Sequence, residues 1–231
     1  MVISIMNTPS QKNQEKVFTG DKKADRSWLI DMENRFVAKT IWLVPGWLQT
    51  YHLTLMTALW SAGIIYAGYM AQMNIRWLWL SSLFIFLQYV TDLYDGKVGK
   101  HRNTGLVKWG YYMDHFLDYV FMCSFVVSYF YLVPDYHLIY LFGLVAVFGG
   151  FMINAFLSFS ATNEFRIEFF GVGPTNARAG FIAINTYVIL ISRHVVSLLP
   201  YLFVLVALAL ILVVYRTQKK IWKIDMAAKG R

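Results

Sequence analysis

Residues 77–96 read WLWLSSLFIFLQYVTDLYDG, and this stretch decides the fold. It is apolar until its last turn, where Asp92 and Asp95 enter. A helix that crosses a bilayer needs about 20 mostly apolar residues, which this run supplies. Five further runs qualify or nearly qualify, at 50–70, 112–133, 137–159, 179–197 and 199–216. The last contains PYLFVLVALALILVVYR, uncharged until Arg216. A soluble domain would have to cover all six with polar surface, and too few residues remain to provide it.

The composition of the 231 residues agrees. Apolar residues make up 58% and charged residues 15%, where an ordinary globular chain carries roughly 25% charge. So much apolar and aromatic material excludes disorder for most of the chain. A single cysteine, Cys123, excludes an intrachain disulfide framework. The net charge is +8. Its distribution is sorted: Lys12, Lys16, Lys22, Lys23, Arg26, Arg35 and Lys39 precede the first run, and Lys97, Lys100, Arg102 and Lys108 join the second to the third. Arg166 and Arg178 join the fourth to the fifth, and Arg216, Lys219, Lys220, Lys223, Lys229 and Arg231 follow the sixth. Only Arg76 and Arg193 fall on the other side. Because basic loops stay on the cytoplasmic side, the sorting predicts an even number of spans with both termini cytoplasmic. The expected fold is therefore all-α, a polytopic membrane protein of six transmembrane helices. The basic surplus reads as topology and contact with anionic lipid. No zinc-finger or P-loop spacing supports a nucleic-acid partner.

Four segments follow. Residues 1–27 are polar and aperiodic, a flexible cytoplasmic tail without a signal peptide. In residues 28–44, Trp28, Leu29, Met32, Phe36, Val37, Ile41 and Trp42 can share one helical face, which predicts an interfacial amphipathic helix before Pro45-Gly46 turns the chain. Residues 45–216 hold the six helices and the candidate chemistry, and 217–231 form a short basic cytoplasmic tail.

Of thirteen acidic residues, four stand apart. Asp92 and Asp95, spaced i,i+3, close the second span, and Asp114 and Asp118, spaced i,i+4, open the third. Each pair shares a helical face, and consecutive antiparallel spans bring the pairs to one depth. A single aspartate there would cap a helix or fringe the headgroups. Four at paired spacing, with no lysine or arginine interleaved on those faces, call for a counter-charge. Carboxylate-only ligation suits Mg2+ or Mn2+, one ion or two. Gly96, Gly99, Gly105 and Gly110 frame the site and admit close approach of ligand or backbone. Lys97, Lys100, Arg102 and Lys108 add positive charge. Carboxylate-held metal beside basic groups suits a phosphate-rich substrate, and the membrane address makes one substrate a lipid. His115 reads as an interfacial hydrogen-bonder, and Cys123 as packing. Asn154, Asn163, Glu164, Arg166, Glu168 and Arg178 are candidates to line an acceptor pocket, with Arg178 a candidate phosphate binder.

Asp92-Leu-Tyr-Asp95-Gly96-Lys-Val-Gly99-Lys100, nine residues, then Gly110-Tyr-Tyr-Met-Asp114-His-Phe-Leu-Asp118 resembles the signature of the CDP-alcohol phosphotransferases, D-x-x-D-G-x-x-A-R followed by G-x-x-x-D-x-x-x-D. HLTL at 52–55 is similar to the start of that family's first span, with His52 where Asn is usual. The resemblance implies six spans, an interfacial N-terminal helix, and the motif across spans two and three, facing the cytoplasm. That membrane would be the inner membrane of a bacterium or the endoplasmic reticulum of a eukaryote.

The resemblance also implies roles. Asp92, Asp95 and Asp114 would hold two ions of Mg2+ or Mn2+, with Asp118 sharing one and taking the proton of the acceptor. Gly96, Gly99, Lys100, Arg102, Gly110 and Arg178 would contact a CDP-linked donor or its acceptor, an alcohol or diacylglycerol, and CMP would leave. A homodimer is common in the family. Two departures stand out: Gly99-Lys100 replaces Ala-Arg, and the spacer is one residue longer. Lysine keeps the charge but loses the bidentate fork, for which Arg102 is the expected substitute. The weighed alternatives are a non-catalytic CDP-binding relative or membrane scaffold, and a membrane prenyltransferase, whose separated aspartate motifs and larger number of spans this chain lacks.

Overall fold

The computed structural model describes residues 28–163, 165, 173–191 and 197–230, with side chains from Met32 onward. The expected tail 1–27, Glu164, Arg166, Glu168 and Arg193 lie outside the described residues. The chain is all-helical where described: α1 Trp28–Thr40, α2 Thr50–Met70, α3 Leu78–Arg102, α4 Val107–Ser128, α5 Leu138–Thr162, α6 Pro174–Leu190 and α7 Leu199–Ala228. No strand occurs among these residues.

Helices α2 to α7 fall on the six apolar runs, with shifted ends that have local causes. α3 continues through the motif to Arg102 and is closed by Asn103, whose φ of 53° is left-handed. α6 begins at Pro174, in the first turn where a missing N–H goes unused. α7 runs on past Arg216 to Ala228, because Gln, Lys, Ile, Trp and Ala follow without a glycine or proline. By length and composition α2, α5 with its preceding turn, and α7 can each cross a membrane. In α3, α4 and α6 polar groups such as Gln88, Asp118 and Asn185 displace apolar ones, and α6 has 17 residues.

α2 is the hub, packing on both α3 and α4, while α6 lies on α3, α5 on α4, and α7 on α5. Gly68 of α2 meets the Ser128 backbone of α4 so closely that a Cβ would overlap it. Small residues of this kind let membrane helices approach and gain dispersion contacts. Phe125 and Phe181 stack at 4.0 Å where α4 meets α6. Deeper in the same seam, buried Asn185 accepts from the Tyr129 hydroxyl at 2.8 Å and donates toward Ser82 Oγ at 3.1 Å. Its polar atoms are thus satisfied inside the bundle. The outer surface is the reverse: of α7 only Val213 is buried, and Tyr201, Leu205, Leu208, Ile211 and Trp222 face outward.

α1 lies on α3. Val37 is buried there, the Tyr89 hydroxyl donates to Glu33 Oε1 at 2.9 Å, and the Thr40 and Tyr94 hydroxyls meet at 2.6 Å. Met32 and Phe36 of α1, and Trp42 and Trp47 after it, stay exposed.

The α2–α4 crossing gives a test in purified, detergent-solubilised protein. Gly68→Ala is expected to cost about 1–3 kcal/mol through overpacking and to lower the melting temperature. Gly180→Ala, with open space around its Cβ on α6, is expected to leave or raise it.

Candidate active site

The end of α3 and the start of α4 are joined by a loop that folds back on the helix. The N–H of Thr104 reaches Gly99 O at 3.0 Å, and a Cβ on Gly99 would stand 3.0 Å from both Gly105 Cα and Thr50 Oγ1. Contacts that tight leave no room for alanine without a shift. Glycine at 99 thus lets Gly105 of the connecting loop rest on the helix. α3 and α4 themselves barely touch, because α2 packs against both. The four aspartates gather where the two helices lie side by side against α2.

Asp95 is buried, and α2 fixes it. Thr50 Oγ1 donates to Asp95 Oδ1 at 2.8 Å and lies 2.5 Å from its main-chain oxygen, while Thr54 Oγ1 donates to Oδ2 at 2.5 Å. Both carboxylate oxygens are thus oriented by hydroxyls. Asp114 lies within electrostatic reach of Asp92, Asp118 and Asp95, and within hydrogen-bond reach of Asp92. The sequence placed the two pairs at one depth, and the structure brings them into one cluster.

The faces of α3 and α4 that carry the aspartates hold no lysine or arginine of their own, and the basic group at the cluster comes from a third helix. Arg178, in the second turn of α6, reaches across and is 4% exposed. Its Nη2 stands 3.1 Å from Asp92 Oδ2 and 3.1 Å from Asp118 Oδ1, so one nitrogen links α3 to α4. Its Nε donates to Gln88 Oε1 at 2.6 Å, and its guanidinium carbon lies 5.8 Å from the centre of the Phe121 ring. A guanidinium in this setting gains from charge-assisted hydrogen bonds on two carboxylates. Arg178 itself meets two of the four carboxyls.

His115 is buried, stacked on Phe165 at 4.6 Å and edge-on to Tyr111 at 4.6 Å. Its Nδ1 lies 3.8 Å from Asp114 Oδ2. One ligand atom from each of Asp114, His115 and Asp118 falls within 4.8 Å of the others, so the imidazole joins the donor set that sequence limited to carboxylates.

The remaining candidates divide. Gly96 and Gly110 have nothing within 4 Å of where a Cβ would stand, so both leave open space beside the aspartates. Lys100 is exposed at the rim. Arg102 is turned away: Nη1 donates to Leu48 O at 2.8 Å and Nη2 to Val44 O at 2.7 Å, tying the α1–α2 connection to the end of α3. Asn154 donates toward Thr217 Oγ1 at 3.4 Å between α5 and α7, and Asn163, at a φ of 57°, closes α5. Three residues at the site had been passed over. Thr54 lies inside HLTL, Thr50 lies one turn before Thr54, and Gln88 is a wholly buried amide in an apolar run, a placement that itself signals a polar task.

The sequence profile described as CDP-alcohol phosphatidyltransferase matches residues 42–216. That match takes in all of α2 to α6 and α7 as far as Arg216. No curated protein and no solved structure matches the chain. A profile running through the four aspartates, both framing glycines and Arg178 carries the conclusion: the chain belongs to the CDP-alcohol phosphatidyltransferase family, membrane-embedded transferases that pass a phosphoalcohol group from a CDP-alcohol to an acceptor alcohol.

Proposed function

We propose that this protein transfers a phosphoalcohol or phosphatidyl group from a CDP-linked donor to an acceptor hydroxyl, releasing CMP, in phospholipid synthesis. The observation that carries this is the cluster itself, four carboxyls on two helices with, among the described residues, the Arg178 guanidinium bridging two of them. That excess of negative charge, together with the oxygen-rich donor set and the imidazole beside it, fits a hard divalent cation. Asp92, Asp95, Asp114 and Asp118 would hold two ions of Mg2+ or Mn2+. When bound, such ions supply charge neutralisation for a pyrophosphate and for the departing CMP.

The chain's own residues do the rest. Thr50 and Thr54 hold the Asp95 carboxylate in one orientation. Arg178 orients Asp92 and Asp118 and leaves a fixed positive charge beside the reacting phosphates. Open space at Gly96 and Gly110 admits the nucleotide close to the backbone, with Lys100 at the rim as a diffuse positive charge. Asp118 takes the proton from the acceptor hydroxyl as its oxygen bonds to phosphorus. The bond from that phosphorus to the bridging oxygen breaks, and the oxygen leaves with CMP. Fixed positions and fixed charges provide most of the acceleration in reactions of this type.

In the same proposal all six helices α2 to α7 span the membrane, both termini are cytoplasmic, and the aspartates face the cytoplasm. The sorting of basic residues supports this, and so does the outward apolar surface of α7.

Two tests follow. Purified protein is assayed for CMP release with CDP-diacylglycerol and CDP-headgroup donors, crossed with serine, inositol, inositol phosphate, glycerol phosphate and diacylglycerol. One pairing is expected to react, to stop with EDTA, and to fall at least about a hundredfold in Asp118→Asn while CDP binding persists. Full activity in Asp118→Asn would remove the base role, and no CMP release from any pairing would remove the transferase reading. For topology, single cysteines at positions 74 and 229 in a Cys123→Ser background are probed with an impermeant maleimide on intact cells. Position 74 should label directly and position 229 only after lysis; the reverse pattern would invert the orientation.

A further inference from the structure

Gln88 lies one helical turn before Asp92 on α3 and is wholly buried. Its Oε1 accepts from Arg178 Nε at 2.6 Å. Guanidinium nitrogens only donate, so the amide must present its carbonyl to Arg178 and cannot be flipped. Its Nε2 is then left without a hydrogen-bond partner among the described residues. A buried donor without a partner destabilises the fold, and leucine or methionine would fill nearly the same volume without that cost. Packing therefore does not explain an amide here. Its carbonyl does, because the planar guanidinium is held at Nε while Nη2 meets Asp92 and Asp118.

We propose that Gln88 is a positioning residue. It fixes the plane of the Arg178 guanidinium and thereby the share of positive charge that Asp92 and Asp118 receive. The inference rests on the transferase reading above and deepens it. With the carbonyl removed, the guanidinium turns off the carboxylates, which then meet a divalent cation with less competition but are less fixed in place.

The test uses Mn2+ as the probe and needs no turnover. Mn2+ affinity is measured by electron paramagnetic resonance on the purified full chain, without nucleotide. The set is wild type, Gln88→Leu, Gln88→Met, Arg178→Ala and the Gln88→Leu/Arg178→Ala pair, with thermal unfolding as the folding control. Arg178→Ala is expected to bind Mn2+ about tenfold more tightly, and both Gln88 variants to shift the same way by about threefold. Gln88→Leu is expected to add nothing once Arg178 is alanine, the result a merely structural role would not give.

The proposal is overturned if folded Gln88 variants bind Mn2+ as wild type does. It is equally overturned if Gln88→Leu shifts affinity by the same factor with and without Arg178, or if neither apolar variant folds, since an amide kept for orientation is dispensable for folding. Absence of CMP release from wild type would remove the transferase reading alone, and the Mn2+ comparison would still decide the role of Gln88.

Discussion

The guanidinium of Arg178, buried between Asp92 on α3 and Asp118 on α4, is the contact on which the site depends. Four carboxyls this close repel one another, and burial of part of the cluster limits screening by water. Arg178 neutralises part of that charge and gives two helices that barely touch a common partner. Removing the arginine would leave two partly exposed carboxylates without their counter-charge. The rest of the bundle serves this geometry. The Pro174 start of α6 sets where Arg178 emerges, the Phe125–Phe181 stack keeps α6 against α4, and α2 wedges α3 from α4 while its two threonines hold Asp95.

The departures from the family pattern take on a physical meaning in this setting. Gly99 is buried against Gly105 and Thr50, where a larger side chain would press on the connecting loop. Lys100 stays at the exposed rim, where a flexible ammonium can follow a phosphate without presenting a fork. Arg102, a candidate to replace the lost arginine, is held by the carbonyls of Val44, Pro45 and Leu48 and joins the α1–α2 connection to the end of the motif. The arginine at the carboxylates comes instead from α6.

Much of this was legible in the sequence because it is local. Apolar runs long enough to cross a bilayer become helices whatever else surrounds them, and i,i+3 and i,i+4 spacing fixes a shared face within one helix. The four aspartates could therefore be gathered from α3 and α4 alone. What escaped is long-range. Arg178 is separated from Asp118 by 60 positions and from Gln88 by 90, and no periodicity connects α6 to α3. Gln88 is a single amide in an apolar run, and Thr50 and Thr54 look like ordinary residues of a membrane helix until Asp95 is placed beside them. The ends of the helices moved for similar reasons: the fold-back at Asn103 and Gly105, and the continuation of α7 past Arg216, depend on backbone capping and propensity rather than hydropathy.

The central claim is that this carboxylate cluster is a divalent-cation site for a CDP-linked donor. An experimental structure of the purified protein with Mn2+ and CDP, read by anomalous scattering at the manganese edge, tests it most directly. Manganese peaks among Asp92, Asp95, Asp114 and Asp118, with the diphosphate beside them and the nucleotide passing the open faces of Gly96 and Gly110, are the expected result. Bound CDP with no manganese at those carboxylates, or manganese held elsewhere, would contradict the account.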